Sequence, residues 1–272
     1  MATSPQWRPR LVATDLDGTV VRSDGRVGQR TRRALAAVED AGVPLVLVTG
    51  RPPRWMHPVV EETGHRGVAV CANGAVVYDL HFDQVLAAHT IDAEVAAEVV
   101  RLLRDEVPGV HFAAERTGVG TDPFVKEVGY EVRWPQPFLH EAEISEVVGT
   151  PMVKLLARVP DMDSDLLLEA GEATLGDLVT LTHSSSGGLL EMSARGVSKA
   201  SGLRHLADGF SVASEDVVAF GDMPNDLPML AWAGWSVAVS NAHVSVRDAA
   251  DEVTLSNDED GVARVLERYF GV

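Results

Sequence analysis

Short apolar runs rich in β-branched residues recur along the chain, and polar residues follow each run directly. Four of these runs occupy residues 11–14, 43–48, 68–72 and 217–220. They are nearly continuous rather than alternating, which is typical of strands that are covered on both faces of a parallel sheet. The pattern therefore predicts four buried strands.

Segments with the helical spacing of apolar residues lie between these runs. The predicted helices cover residues 31–40, 199–207, 224–233 and 259–270. Gly42 stands where the first helix would end, and Ser198 stands where the second would be capped. Strands that alternate with helices predict an α/β fold with a doubly wound, mainly parallel, Rossmann-like core sheet. In such a sheet, ligands bind at the carboxyl ends of the strands.

The middle of the chain has a different order of elements. The predicted elements there are a long amphipathic helix at 92–106, strands at 110–113, 153–159, 178–183 and 189–192, and a second helix at 164–173. Residues 184–188 predict a turn of a hairpin. We therefore expect a core of residues 1–82 and 194–272, interrupted by an inserted α+β cap domain of residues 83–193.

The composition is that of an ordinary globular protein. Of the 272 residues, 46% are hydrophobic and 23% are charged, and the formal net charge is −17. These values argue against a mainly disordered chain. An acidic surface repels the phosphate backbone of nucleic acids, so we expect no nucleic-acid partner.

The chain has no stretch of about 18 apolar residues that would predict a membrane span. No apolar segment precedes the first strand as it would in a signal peptide. These patterns predict a soluble cytoplasmic protein, either a monomer or a small homo-oligomer. The single cysteine, Cys71, lies in the apolar run 68–72, and we interpret it as a buried small hydrophobic residue rather than a reactive thiol.

Two carboxylates follow the first predicted strand, in the motif Asp15-Leu16-Asp17-Gly18-Thr19. Side chains two positions apart in a strand point to the same side, and Gly18 allows a sharp turn just past the strand end. Close carboxylates repel each other unless a cation or a shared proton lies between them. Oxygen ligands favour a hard divalent ion, so the motif predicts a Mg²⁺ site.

A second polar cluster, Thr49-Gly50-Arg51, follows the next strand. A hydroxyl, a bare backbone and a guanidinium in succession can hold phosphate oxygens. The alternative is an ordinary strand-to-helix turn that Thr49 caps.

Two further clusters lie beyond the middle region. Lys199 stands at a predicted helix start, where a cation opposes the helix dipole; this indicates a role beyond local stability, and the alternative is a solvated surface lysine. The segment Gly221-Asp222-Met223-Pro224-Asn225-Asp226 places two acids and an amide at a strand end. One such residue suffices to cap a helix, so the surplus of acids favours metal ligation over capping alone.

Together these four clusters resemble the motifs of the haloacid dehalogenase superfamily, specifically its Cof-type phosphatases of subclass IIB, which carry a large C2-type cap between the second and third motifs. The similar segments, in the order of the motifs, are residues 15–19, residues 49–51, Lys199 and residues 221–226. Asn73-Gly74-Ala75 and residues 237–242 are also similar to segments of the family. The resemblance covers nearly the whole chain, and the mild departure at Met223-Pro224 removes no ligand.

The resemblance implies a phosphatase that works through an aspartyl phosphate. Asp15 would be the nucleophile, and Asp17 would be the general acid and base. Mg²⁺ would be held by Asp15, by the backbone carbonyl of Asp17 and by Asp222.

The resemblance also implies contacts for the substrate. The residues expected at the substrate and its phosphate are Thr49, Gly50, Arg51, Lys199 and Asn225. Asp226 would hold Lys199 rather than bind the metal. The cap would close over the site and supply specificity. Trp134, Phe138 and His111 could contact the leaving group there, with packing inside the cap as the alternative for Trp134.

The expected substrate is a small phosphate ester, with sugar phosphates favoured. One alternative is phosphoryl transfer to another acceptor, as in phosphomannomutase-like relatives. Another is a non-catalytic protein that binds sugar phosphates. The presence of Asp15, Asp17, Lys199 and Asp222 together argues against the second alternative.

Overall fold

Two β-sheets of different construction form the framework of the protein. The structure is a computed structural model that describes residues 7–117, 123–133 and 139–271. Within those residues the chain forms an eight-stranded sheet and a six-stranded sheet.

The strands, in chain order, are β1 (Leu11–Thr14), β2 (Leu45–Val48), β3 (Val68–Cys71), β4 (Val76–Asp79), β5 (Gln84–Ala88), β6 (His111–Glu115), β7 (Phe124–Glu127), β8 (Leu139–Ala142), β9 (Lys154–Arg158), β10 (Val179–Thr182), β11 (Leu189–Ala194), β12 (Val217–Gly221), β13 (Trp235–Ala238) and β14 (Glu252–Val253). The helices are α1 (Gln29–Asp40), α2 (His57–Thr63), α3 (Ala93–Glu106), α4 (Ile144–Val147), α5 (Ser164–Leu175), α6 (Lys199–Gly209), α7 (Leu227–Trp232), α8 (Val244–Ala249) and α9 (Gly261–Phe270).

The larger sheet has the strand order β14-β13-β12-β1-β2-β3-β4-β5. All neighbours from β14 to β3 are parallel, which is the Rossmann arrangement. β4 and β5 are added antiparallel at one edge. Helix α1 packs against α9, and α6 packs against α7. The predicted fold class, a doubly wound sheet with an inserted α+β region, is confirmed.

The four predicted strands of the core are all present, with small shifts of their ends. β1 has the predicted bounds, whereas β2 begins at Leu45, directly after Pro44. Proline has no N–H to donate to a ladder, so the regular strand starts after it. The predicted helix at 224–233 is divided into a 3₁₀ turn (Pro224–Asp226) and α7.

The smaller sheet has the strand order β10-β11-β9-β6-β7-β8, and only the β7–β8 pair is parallel. The predicted hairpin at 184–188 joins β10 to β11. Side chains alternate between the two faces. Leu155, Ala157 and Leu190 lie in a hydrophobic cluster with residues of α3 and α5, whereas Lys154 and Leu156 lie on the opposite face. This sheet together with α3, α4 and α5 is called the cap below.

The chain enters the cap after β5 and leaves it after β11. Strand β5 (Gln84–Ala88) pairs with β4 of the larger sheet. The predicted domain boundaries at residues 83 and 193 stay a prediction. Among the described residues, no helix is both long and apolar enough to cross a membrane.

Candidate active site

The carboxyl ends of β1, β2 and β12 bring three of the predicted motifs together. β1 lies between the other two strands, with Thr14 opposite Phe220 on one side and Leu47 on the other. Each strand is followed directly by one residue of a predicted motif: Asp15 after β1, Thr49 after β2 and Asp222 after β12. All three residues are buried. Parallel strands end at the same edge, so these side chains face one site.

A buried lysine connects two of the carboxylates. Lys199 is 1% exposed, and its Nζ donates to Oδ1 of Asp15 and to Oδ1 of Asp226, both at 2.6 Å. Burial alone would lower the pKa of Lys199, but the two carboxylates raise it above its usual value. The lysine therefore stays charged.

The two oxygens of Asp226 are both engaged. Oδ1 accepts from Lys199, and Oδ2 accepts from the backbone N–H of Asp222 and of Met223, both at 3.0 Å. These bonds explain why residues 224–226 form a tight 3₁₀ turn rather than the first turn of a helix. They also leave Asp226 better suited to hold Lys199 and this turn than to bind a cation.

Asp15, Asp222 and Asp226 each offer a carboxylate oxygen within 4.8 Å of the others. Burial, followed by the charge of Asp226, raises the pKa of Asp222 to about 7. Burial also raises the pKa of Asp15, even though Lys199 opposes the shift. Buried acids that repel one another in this way, with oxygen donors only, fit a hard divalent cation. The hydroxyl of Thr19 orients the cluster by donating to Asp222 Oδ1 at 2.9 Å.

The side chain of Asp17 lies outside this carboxylate cluster and pairs with Arg51. Arg51 Nε donates to Asp17 Oδ2 at 2.7 Å, and Arg51 Nη2 donates to Asp17 Oδ1 at 2.5 Å. The Asp17 side chain is 58% exposed, so it can reach a bound ligand. In this arrangement Arg51 orients the Asp17 side chain.

Hydrogen bonds hold all three carbonyl oxygens of the 49–51 loop. Asn73 N donates to Thr49 O at 3.0 Å, and Ala72 N donates to Arg51 O at 2.9 Å. The carbonyl between them, Gly50 O, accepts from Lys154 Nζ of the cap at 2.8 Å. Asn73 has a left-handed backbone (φ 56°), and its side chain accepts from Asn225 Nδ2 at 3.1 Å. These bonds place Asn225 beside the loop.

A cavity of about 470 Å³ is lined by residues of the core and of the cap and borders the site; Thr49, Lys199 and Asp222 are not among its lining residues. Its lining from the core includes Asp15, Asp17, Arg51 and Asn225. Its cap side is mixed. Apolar and aromatic residues there are Phe124, Tyr130, Val132, Leu156 and Leu189, and charged or polar residues there are Glu115, Glu131, Arg133, Lys154, Arg158, Ser184 and Glu191. Among the described residues, His111 does not line the cavity, and Trp134 and Phe138 lie outside the described residues.

Two buried ion pairs at this cavity were not predicted. Lys154 Nζ donates to Glu191 Oε1 at 2.6 Å, and Arg54 forms a two-pronged pair with Glu115 at 2.9 and 2.6 Å. Lys154 begins the largely apolar strand β9, directly after Met152 and Val153, and Glu191 lies inside the apolar strand β11. A charge inside an otherwise apolar run is the sequence signal that could have identified them.

Comparison with known proteins agrees with this arrangement. Residues 12–266 match the family model of the haloacid dehalogenase-like hydrolases. The chain is 27% identical over 283 residues to a 5-amino-6-(5-phospho-D-ribitylamino)uracil phosphatase of Bacillus subtilis, covering 98% of this chain and 100% of the relative. It is 29% identical over 262 residues to a phosphoglycolate phosphatase of Methanothermobacter thermautotrophicus, covering 96% and 99%.

The fold is also that of a solved sugar phosphatase of subclass IIB, BT4131. The two structures have a TM-score of 0.79 over 96% of this chain and 98% of the other, at 20% sequence identity. The resemblance inferred from the four motifs is thereby confirmed, and the protein is a phosphoric monoester hydrolase. With a family match that spans nearly its whole length, the chain belongs to the haloacid dehalogenase-like hydrolases.

Proposed function

We propose that the protein is a Mg²⁺-dependent phosphatase that hydrolyses small phosphorylated metabolites through an aspartyl phosphate on Asp15. The observation that supports this most directly is the buried group of Asp15, Lys199 and Asp222 at the ends of parallel strands. It combines a nucleophilic carboxylate, a cation for phosphoryl oxygens and a second carboxylate for a divalent ion.

The reaction divides into two transfers. Asp15 attacks phosphorus, an Asp15–phosphorus bond forms, and the bond to the leaving oxygen breaks. Asp17 gives its proton to that oxygen and then takes a proton from the water that attacks the aspartyl phosphate. Inorganic phosphate leaves, and Asp15 is restored.

The remaining residues bind and orient. Lys199 and Thr49 hold phosphoryl oxygens, Gly50 leaves room for them, and Arg51 keeps Asp17 aimed at the site. Asp226 keeps Lys199 in place. Mg²⁺ would be held by Asp15, Asp222 and the carbonyl of Asp17, and it supplies the positive charge that offsets repulsion between carboxylate and phosphate.

Substitution of Asp15 and Asp17 tests the two roles separately. With p-nitrophenyl phosphate, Asp15→Asn should abolish both phosphate release and covalent labelling of the protein. Asp17→Asn should still be labelled, because nitrophenolate leaves without a proton, but it should release phosphate about 10²-fold or more slowly. Full activity of Asp15→Asn would refute the assignment of Asp15 as the nucleophile.

Acceptor tests separate the alternatives. Phosphate release in the absence of any added sugar argues against a phosphomannomutase-like transferase. A wild-type protein that binds phosphate esters but releases no phosphate with Mg²⁺ would instead be a binding protein.

Sugar phosphates are the first substrate class in this proposal. The aromatic and apolar residues on the cap side of the cavity, among them Phe124 and Tyr130, favour a second class, in which the leaving group carries a flat ring. The Bacillus subtilis relative is named for such a compound, and the archaeal relative is named for a much smaller one. Riboflavin 5′-phosphate carries a flat ring on a ribityl phosphate chain, and ribitol 5-phosphate is the same chain without the ring. The rates of phosphate release from these two esters separate the two classes.

A further inference from the structure

The middle carbonyl of the 49–51 loop receives its hydrogen bond from a different part of the molecule than its neighbours. Thr49 O and Arg51 O accept from the backbone of the core, at Asn73 and Ala72. Gly50 O accepts from Lys154, which is 104 positions away in the cap. The loop is thus completed only where cap and core meet.

Lys154 is held firmly for this contact. It lies on the face of β9 that points away from the hydrophobic cluster of the cap, and its side chain is 6% exposed. Its Nζ also donates to Glu191 Oε1 on the neighbouring strand β11. Burial alone would raise the pKa of Glu191, but Lys154 and nearby polar side chains lower it, so the Glu191 carboxyl is ionised.

The contact acts on a peptide group that leads directly to Asp17. The carbonyl of the Gly50–Arg51 peptide accepts from Lys154, and the N–H of the same peptide donates to Thr49 Oγ1 at 3.0 Å. Both ends of that peptide are therefore fixed. The next group along the chain is the Arg51 side chain, which donates hydrogen bonds to both carboxylate oxygens of Asp17.

We infer that Lys154 is a positioning residue supplied by the cap, which sets the Gly50–Arg51 peptide and thereby the orientation of Arg51 and Asp17. Glu191 is its buried counterion. The inference rests on the proposed function, in which Asp17 protonates the leaving group. It makes full acid catalysis depend on the cap lying over the site.

Two esters of similar shape test this role. Phenolate needs a proton to leave far more than p-nitrophenolate does, so loss of a well-placed acid affects phenyl phosphate more. Lys154→Met should lower kcat/KM for phenyl phosphate about tenfold or more, and for p-nitrophenyl phosphate less than about threefold. Asp17→Asn is the reference variant and should show the same dependence on the leaving group.

Three further variants make the result decisive. Lys154→Met leaves Glu191 buried without a cation, so Lys154→Met/Glu191→Gln is the version expected to keep the fold. Lys154→Arg retains a donor and should recover most of the loss with phenyl phosphate. Lys126→Met is the matched control, because Lys126 is also an ion-paired lysine of the cap sheet, with Glu141 as its partner, and it should leave both esters unaffected.

The outcomes separate the inference from the proposed function. Equal loss with the two esters, or no loss in the folded double variant, would overturn the positioning role while leaving the phosphatase intact. A wild-type protein that hydrolyses neither ester would instead overturn the proposed function.

Discussion

Gly18 illustrates how one backbone position shapes the carboxylate cluster. It has φ +81°, in the region that favours glycine, and a Cβ placed there would lie 2.3 Å from Asp222 Oδ2. A side chain at this position would therefore require Asp222 to move. The absence of a side chain at Gly18 is therefore a requirement of the site and not only of the turn.

Gly18→Ala should lower phosphate release about 10²-fold or more, because displacement of Asp222 disturbs the metal ligands. Gly25→Ala is the matched control, since Gly25 also has φ +81° but has nothing within 4 Å of an added Cβ. It should cost only about 1–2 kcal/mol of stability from backbone strain, with unchanged activity in the folded protein. Steady-state kinetics and thermal unfolding of both variants check this; equal activity of the two would contradict it.

The sequence predicted the positions of some site residues, but it did not predict the contacts of others. Asp15, Thr49 and Asp222 follow apolar runs, and a parallel sheet necessarily gathers such positions at one edge, so local pattern was enough. The contacts of Lys154 depend on how the cap sits on the core, and no periodicity encodes that. The roles of the individual site residues stay predictions.

At the scale of elements, most strands with a clear apolar run were predicted, but β4 (Val76–Asp79), which is apolar and largely buried, was missed. Strands without such a run were missed as well. β7 (Phe124–Glu127) and β8 (Leu139–Ala142) carry charged residues and show no apolar run. β5 is an edge strand whose residues are half-buried or exposed, so its pattern resembles a loop. Whether such a segment forms a strand depends on its neighbours in the sheet, because the partner strand supplies the hydrogen bonds and the packing. The sequence of the segment alone does not show this.

The buried pair of Arg54 and Glu115 links the core to strand β6 of the cap. Arg54→Met alone should destabilise the protein by about 3 kcal/mol, because it removes the cation that hydrogen-bonds to the buried Glu115 carboxylate. Burial already raises the pKa of Glu115 although Arg54 opposes the shift, so removal of both charges in Arg54→Met/Glu115→Gln should recover most of that loss.

Urea unfolding measures these differences. Arg101→Met is the control, because Arg101 is 58% exposed and pairs only with surface acids of its own helix; its midpoint should not change. A double variant as unstable as the single one would show that Arg54 contributes by packing against Trp55 and Phe124 rather than by its charge.

The whole molecule is strongly acidic, whereas its site must accept an anion. The net charge of −17 repels a phosphate ester at a distance, whereas Lys199, the proposed phosphate ligand, is buried and can attract the ester only at short range. The overall field and the local charge therefore have opposite effects on the substrate.

Salt should consequently speed the encounter with substrate. Raising monovalent salt from about 10 to about 200 mM at constant free Mg²⁺ should increase kcat/KM about twofold or more, because screening weakens the long-range repulsion. The value of kcat at saturating substrate should stay nearly constant and serves as the internal control. A fall in kcat/KM with salt would mean that local cations steer the substrate after all.

The insertion of the cap between β5 and α6 has a consequence for how such a protein can diverge. Asp15, Asp17, Lys199 and Asp222 are all encoded outside the stretch that forms the cap strands β6–β11. Mutations in that stretch can reshape the cap side of the cavity while the residues proposed for catalysis stay unchanged. Lys154 is the exception, because it lies in the cap and has a proposed part in catalysis. Related proteins that act on other substrates should therefore still have a cation at this position.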